Sequence, residues 1–267
     1  MDGIELTRDK VVDLERVAPD VSGLRIIFVN VFGVRDFDGS WCLIDAGLHL
    51  SHEYIRDWAK REFGAVPPKA ILLTHGHFDH IGALQTLLEQ WRDVPVYVHE
   101  RELPFVVGEQ KYPPPDPTVG GGIMPFLSPT FPRGPYDFSR HLRTYRADSS
   151  IAELQGWRWI DTPGHTPGHV SFFRESDRTL LVGDAFCTTN QQSLFAANIM
   201  QTPELTGPPA YFTPDWDQAK ASVEKLAALK PKIIAPGHGK PMHDIADALA
   251  HLAADFDRIA RPKERAA

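Results

Sequence analysis

Apolar positions along the chain fall into two rhythms. Short runs rich in β-branched and aromatic residues occupy 24–34, 41–47, 71–73, 94–99, 157–163, 170–174, 179–182 and 232–235. Their length and composition predict strands, the first run covering one or two of them. Asp38-Gly39 between the first two runs is a hairpin turn signal. Other stretches repeat every three or four residues and predict amphipathic helices: 53–63 with Tyr54, Trp58 and Phe63, closed by Gly64; 82–91; 217–229 with Ala219, Val223, Leu226 and Ala227; and a terminal helix over 245–259. The first hundred residues alternate strand and helix, the pattern of a sheet covered by helices.

Residues 104–136 break both rhythms. Pro113, Pro114, Pro115, Pro117, Pro125, Pro129, Pro132 and Pro135, with Gly120, Gly121 and Gly122, forbid a long helix or a central strand. Phe126, Leu127, Phe131, Tyr136 and Phe138 make the stretch too apolar for a solvated tether. It reads as an ordered, irregular loop packed over the body, a lid or pocket wall beside the site or else an interface arm.

Composition narrows the class. The chain has 267 residues, 42% hydrophobic and 24% charged, enough for a substantial core; one domain over 1–267, with 104–136 as an insertion, is the expected organisation. A net charge of -7 argues against a phosphate-backbone partner. The first ten residues, MDGIELTRDK, show no secretory h-region, and no apolar run has the length of a membrane span. Cys42 and Cys187 form no motif, so a disulfide framework is not expected and the cytoplasm is the default location. Each reads as an apolar filler, with Cys187 near enough to a candidate ligand to line a site.

The candidate chemistry begins in one stretch. The run Ile71, Leu72, Leu73 leads into Thr74-His75-Gly76-His77-Phe78-Asp79-His80, which places four ligand-type side chains within six residues. Packing does not call for three imidazoles and a carboxylate there; a divalent metal ion does. The same punctuation recurs downstream. Apolar strands end in Thr162-Pro163-Gly164-His165, in Gly183-Asp184 and in Pro236-Gly237-His238. Four strand ends that each deliver a ligand-type residue point to convergence on one centre, at the carboxyl edge where layered α/β proteins place their sites. Asp45, which ends the run 41–47, is either a turn residue or a partner that orients a ligating histidine. His99 reads as a surface residue or an outer partner, and His251 as surface.

These residues carry a family pattern. The motif from His75 to His80 resembles the H-x-H-x-D-H signature of the metallo-β-lactamase-fold hydrolases, and Asp45, Gly164-His165, Gly183-Asp184 and Gly237-His238 follow in that family's order. The resemblance implies a four-layer αβ/βα sandwich: an α/β fold of two mixed β-sheets face to face, flanked by helices, with metals at one edge. It implies His75, His77 and His165 as ligands of a first metal, Asp79, His80 and His238 of a second, and Asp184 as the bridging carboxylate. His169 matches no family ligand and is expected outside the metal's immediate neighbours. Two divalent ions follow, zinc in the first instance, with manganese, iron or cobalt as alternatives.

The expected activity is a dinuclear metal-dependent hydrolase that cleaves a carboxylic ester, lactone or thioester, a metal-bridging hydroxide attacking the carbonyl. Asp79 and Asp184 are the candidate catalytic carboxylates, Asp79 handing a proton to the leaving group. Other readings are a mononuclear iron sulfur dioxygenase-like enzyme, a phosphodiesterase, a β-lactamase, which Asp184 disfavours, and a non-catalytic scaffold. With one helix and a tail after His238, the helical substrate domain of hydroxyacylglutathione hydrolases is not expected. Phe126, Phe131, Phe186, Phe195, Met200, Tyr211 and Phe212 are expected to line an apolar substrate pocket, with Tyr211 able to donate to an oxyanion. The expected partner is a small-molecule substrate, with no nucleic acid and no membrane; the proline-rich arm is compatible with a homodimer.

Overall fold

A computed structural model describes residues 11–119, 123–134, 136–189 and 204–262. Seven strands form one mixed sheet in sequence order: β1 (Val11–Ala18), β2 (Val21–Ile26), β3 (Val29–Arg35), β4 (Trp41–Ile44), β5 (Ala70–Leu72), β6 (Val96–Val98) and β7 (Leu142–Thr144). The first four pair antiparallel and the rest parallel. The second sheet holds β8 (Trp157–Asp161), β9 (Val170–Arg174), β10 (Thr179–Gly183), β11 (Ile233–Pro236) and β12 (Met242–His243), in the order β12-β11-β10-β9-β8. Only β10 and β11 pair parallel in it. The helices are α1 (His52–Phe63), α2 (Phe78–Ile81), α3 (Leu84–Gln90), α4 (Leu103–Val106), α5 (Ile123–Leu127), α6 (Trp216–Ala228), α7 (Ala246–Ala254) and α8 (Phe256–Ile259).

Strand alternation sorts the side chains into layers. Cys42, Ile44, Ala70 and Leu72 face inward and meet Phe172, Leu181 and Ala235 of the other sheet in one buried cluster. Their neighbours Trp41, Leu43 and Ile71 point outward and pack on Ile55, Trp58, Leu84 and Leu87 of α1 and α3. Phe173, Leu180, Val182 and Ile234 do the same on the far side with Val223, Leu226, Leu249 and Leu252 of α6 and α7. The result is two mixed sheets face to face with helices outside, the four-layer αβ/βα architecture the family pattern implies. Both faces of these central strands are covered, so their sequences read as continuous apolar runs.

Three sequence expectations need adjustment. The run 24–34 is a hairpin of two strands, and β1 adds an eight-residue edge strand that the pattern of apolar runs did not mark. The terminal helix is interrupted at Asp255 and becomes α7 and α8. His99 is not on the surface: it is buried, its Nδ1 accepts the Arg101 N–H at 3.1 Å, and its ring lies edge-on to Trp159. His251 is exposed, as expected. Among the described residues no helix is long and apolar enough to cross a membrane.

Candidate metal centre

The seven candidate ligands come from the segments that follow four strands, β5, β8, β10 and β11. The Leu73 N–H bond to Tyr97 O (2.9 Å) extends β5 by one residue, and Thr74 and His75 follow in the loop beyond it. His77 then caps the single turn of α2, which carries Asp79 and His80 inward. His165 lies in the turn between β8 and β9, Asp184 one residue past β10, and His238 two past β11. All seven side chains are buried.

They gather as two triads with a carboxylate between. The ligand atoms of His75, His77 and His165 lie within 4.8 Å of one another, as do those of Asp79, His80 and His238, and those of His75, His80 and Asp184. Asp184 spans the triads: its Oδ2 is 3.4 Å from His165 Nε2 and 3.1 Å from His238 Nε2, and its Oδ1 is 3.4 Å from His80 Nε2. His238 Nε2 is also 3.4 Å from Asp79 Oδ2.

The outward nitrogens decide which atoms are free to ligate. His80 Nδ1–H donates to Asp45 Oδ2 at 2.8 Å, and His238 Nδ1–H to Phe28 O at 2.9 Å. His165 Nδ1–H donates to Thr213 Oγ1 at 3.2 Å, whose own hydroxyl donates to Pro209 O. The Thr74 hydroxyl donates to Asp45 Oδ2 at 2.8 Å and so accepts from His75 Nδ1–H at 3.0 Å. With their protons spent outward, these four rings aim bare Nε2 lone pairs at the centre. His77 instead presents Nδ1, 3.2 Å from His75 Nε2 and 2.9 Å from His165 Nε2. Three nitrogens so close need either a proton on His77 Nδ1 or a cation among them. Tetrahedral zinc with ~2.0–2.1 Å bonds spaces its donors by roughly 3.4 Å, near what these atoms show. His80 Nε2 and Asp184 Oδ1 are moreover buried without a hydrogen-bond partner. The donor set therefore fits divalent metal ions.

Electrostatics agree. Burial, then repulsion from His80, His77 and His165, holds His75 well below the ordinary histidine range. Burial takes His77 down to about 3 and also holds His165 well down, so this triad is neutral and ligand-ready. Burial opposes the imidazolium of His80 and of His238, but Asp184 and its neighbouring carboxylates outweigh it and raise both. Without a cation the acidic side would have to protonate its own ligands.

Behind the candidate ligands stand orienting residues, among which Asn30 carries no local sequence signal. Asp45, left open above, is buried and accepts from Thr74 N–H as well as from Thr74 Oγ1 and His80; it is an orienting partner, not only a turn residue. Asn30 donates to Pro236 O at 2.9 Å and Gly239 O at 2.7 Å, pinning the loop that carries His238. His169 lies outside both triads; its Nε2 accepts the Asp184 N–H at 2.8 Å. Gly237 is required by close approach, because a Cβ there would lie 2.3 Å from Asp184 Oδ1.

A cavity of about 290 Å3 opens onto His77 and His165. Tyr112, Pro113, Pro114 and Asp116 of the proline-rich segment form one wall, and Tyr211, Phe212, Pro214 and Trp216 the other. Of the residues expected to line a substrate pocket, Tyr211 and Phe212 line this cavity. Phe126 does not: it is 75% exposed, on the outward side of α5. Phe186 is core, packed with Val223 and Leu249 behind the second sheet. Phe131 is also off the cavity; it stacks on Phe78 at 5.0 Å and braces α2 from outside. Phe195 and Met200 lie outside the described residues, and Cys187 is buried away from the cavity lining. A larger groove of about 770 Å3 between α3 and residues 137–143 contains no candidate ligand.

Fold and centre together define a metal-binding αβ/βα sandwich with its ligands along one edge of two sheets. The family model of the metallo-beta-lactamase superfamily matches residues 25–238, and the chain belongs to that superfamily. It is 48% identical over 228 residues to the probable metallo-hydrolase YflN of Bacillus subtilis (strain 168), covering 84% of this chain and 86% of that one. Among solved structures it is similar to the BLEG-1 B3 metallo-beta-lactamase, at 25% identity and a TM-score of 0.56 over 89% of this chain and 96% of the other. It is also similar to TTHA1623 in a di-iron-bound form, at 25% identity and a TM-score of 0.53 over the same shares.

Proposed function

We propose that this chain is a dinuclear metal-dependent hydrolase of carboxylic esters, lactones or thioesters, acting on uncharged substrates of modest size. The observation that carries the reading is Asp184, which reaches His165 of one triad and His80 and His238 of the other beside a cavity that opens onto His77 and His165. When bound, paired divalent ions supply a water ionised near neutral pH and a Lewis acid for the carbonyl. His75, His77 and His165 would hold one ion, Asp79, His80 and His238 the other, and Asp184 would touch both. Zinc suits the nitrogen-rich triad; manganese, cobalt or iron suit the site also, and the similarity to a protein solved with two irons keeps iron in view.

The chain's own residues set the substrate. Pro113, Pro114, Pro214, Phe212 and Trp216 offer an apolar bed for an acyl or alkoxy group, and among the described lining residues Asp116 alone is acidic. Among the described lining residues none is Lys or Arg. The internal stretches outside the described residues, 120–122, 135 and 190–203, contain none either. That lining disfavours phosphodiesters and strongly anionic thioesters. Asp79, whose Oδ2 lies 3.4 Å from His238 Nε2, would pass a proton to the departing alkoxide or thiolate. A cytoplasmic location and a small-molecule partner belong to the same proposal; the two free, buried cysteines support the first.

The test is metal content of protein purified without added metal, together with a matched panel: aryl esters, lactones, neutral thioesters, bis(p-nitrophenyl)phosphate and a β-lactam. About two divalent ions per chain, and ester-type turnover that is lost to a chelator and restored by metal, are expected. One iron per chain with oxygen-dependent turnover would assign the chain to the dioxygenase-like class instead. Equal turnover before and after complete metal removal would sink the reading altogether.

A further inference from the structure

Glu102 is not a candidate ligand and does not line the cavity, yet it is fully buried. It closes a 3-10 turn (Glu100–Glu102) after β6. Its carboxylate meets only donors. Oε1 accepts the Gly168 N–H at 2.8 Å. Oε2 accepts the Gly76 N–H at 3.2 Å and the hydroxyl of Tyr112. Gly76 also points its N–H at Tyr112 Oη, 3.1 Å away. Burial raises the Glu102 carboxyl above its ordinary range, and hydrogen bonds from Tyr112, Gly168 and Gly76 pull against that shift; a carboxylate that accepts several donors makes strong hydrogen bonds.

The partners give this arrangement its meaning. Gly76 separates His75 from His77. Gly168 lies in the loop that runs from His165 to His169, the ring that receives the Asp184 N–H. One carboxylate therefore ties both loops of the first triad. Tyr112 begins the proline-rich wall of the cavity. Its ring lies edge-on to His77 at 4.6 Å and is stacked on Phe105 at 4.2 Å. Three residues past Pro113, the Asp116 N–H donates to Tyr211 O at 2.9 Å and joins the two walls. Glycine in the middle of H-x-H lets these groups approach, because a Cβ would come within 2.5 Å of Tyr112 Oη and 2.7 Å of Val106 Cγ1 and force them to shift.

We propose that Glu102 and Tyr112 are positioning residues: Glu102 locks the two ligand loops together, and Tyr112 registers the cavity wall against His77. The substrate side of this inference rests on the hydrolase reading above; the metal side needs only His77 and His165 as ligands. Glu102→Gln tests it with little change of shape. Three donors converge on two oxygens, and the amide nitrogen that replaces one of them cannot accept, so at least one buried donor loses its partner. Tyr112→Phe removes one donor and leaves both glycine amides their acceptor.

The experiment measures Zn2+ affinity by chelator competition, amide exchange at Gly76 and Gly168, and KM and kcat separately for an ester series of increasing acyl length. Glu102→Gln should weaken Zn2+ binding roughly 10–100-fold, the usual effect of removing a partner behind the ligands, and speed exchange at both amides. Tyr112→Phe should leave Zn2+ affinity near wild type and raise KM, most for the longest acyl group, with kcat little changed. Wild-type Zn2+ affinity together with unchanged exchange in Glu102→Gln overturns the lock; an unchanged KM series in Tyr112→Phe overturns the registration. Should Glu102→Gln fail to fold, metal-free wild type decides the lock: both amides are expected to stay protected, whereas exchange at the rate of open loops overturns it. If the wild type hydrolyses nothing in the series, the hydrolase reading fails while the Zn2+ and exchange measurements still judge the lock.

Discussion

Asp45→Asn is the sharpest test of how the centre is held. Asp45 sits at φ +60°, a left-handed conformation that asparagine adopts as readily, so the change spares the backbone. Asp45 Oδ1 accepts Thr74 N–H, and Oδ2 accepts both the Thr74 hydroxyl and His80 Nδ1–H, each at 2.8 Å. Through Thr74 the same carboxylate also fixes His75. An amide cannot serve all three donors. With its nitrogen toward Thr74 N–H, a buried backbone donor is orphaned. Turned the other way, it confronts His80, whose proton must then move to Nε2, the atom that should face a metal. Either outcome leaves a buried group unpaired, worth about 1–3 kcal/mol. Loss of such an orienting partner weakens metal binding about 10–100-fold, or roughly 1.4–2.8 kcal/mol. The assay is competition between the protein and a chromophoric chelator for Zn2+, run beside thermal melting in excess EDTA. Metal affinity should fall by that factor, and turnover at limiting metal should fall more than turnover at saturating metal. Wild-type affinity in Asp45→Asn would refute the orientation argument. A large loss of metal-free stability with affinity intact would make Asp45 a fold residue only.

Three further changes probe neighbouring parts of the same logic. In Gly237→Ala the new methyl would lie 2.3 Å from Asp184 Oδ1 and 2.8 Å from His80 Cε1; metal affinity should drop roughly tenfold or more, while melting in EDTA stays close to wild type. Asn30→Ala strips the Pro236 and Gly239 carbonyls of their donor, so urea unfolding in EDTA should show a loss of about 1–3 kcal/mol, with weaker metal binding through the loosened His238 loop. Burial pushes the Cys42 thiol up to about 12 and raises Cys187 as well. A raised folded-state value means the neutral thiol stabilises the fold fully below the unfolded thiol's value of ~8.5 and that this contribution is lost as pH rises toward 12. Urea stability should therefore decline from about pH 9 upward, Cys42→Ala should flatten that decline, and neither thiol should react with a disulfide reagent at neutral pH until the chain unfolds.

What could be read from sequence, and what could not, divides along the range of the interactions. Ligand identity is local: imidazoles and carboxylates placed where apolar strands end have no packing rationale, so His75 to His80, His165, Asp184 and His238 stand out one by one. The layers are local too, because Cys42, Leu43 and Ile44 alternate across their sheet as strand geometry demands. The strand β1 stayed hidden because an edge strand with Asp13 and Arg16 among its apolar residues lacks the unbroken run that marked the central ones. Pocket assignment from residue type failed for Phe126 and Phe186 because an aromatic ring suits solvent-facing turns, cores and cavities alike; only tertiary placement separates them.

Orientation of the ligands is the non-local part. Asn30 holds the loop after Pro236 across 206 positions, Phe28 receives the His238 proton, and Glu102 reaches Gly76 and Gly168 from a turn of its own. No spacing rule marks such partners, since each uses a common residue type in a place that exists only once the sheets have closed. The asymmetry has a physical source. A metal demands particular donor atoms, which few residues supply, whereas a donor for a carbonyl or an acceptor for an N–H can come from many. The ligand set is therefore constrained by chemistry and legible from spacing, while the groups that aim it are constrained by geometry and become legible only in three dimensions. The proposed choice among substrates falls on the second side of that line: it would rest on a cavity that brings Tyr112 and Tyr211 together with His77 and His165, and on the absence of any lysine or arginine from its described walls.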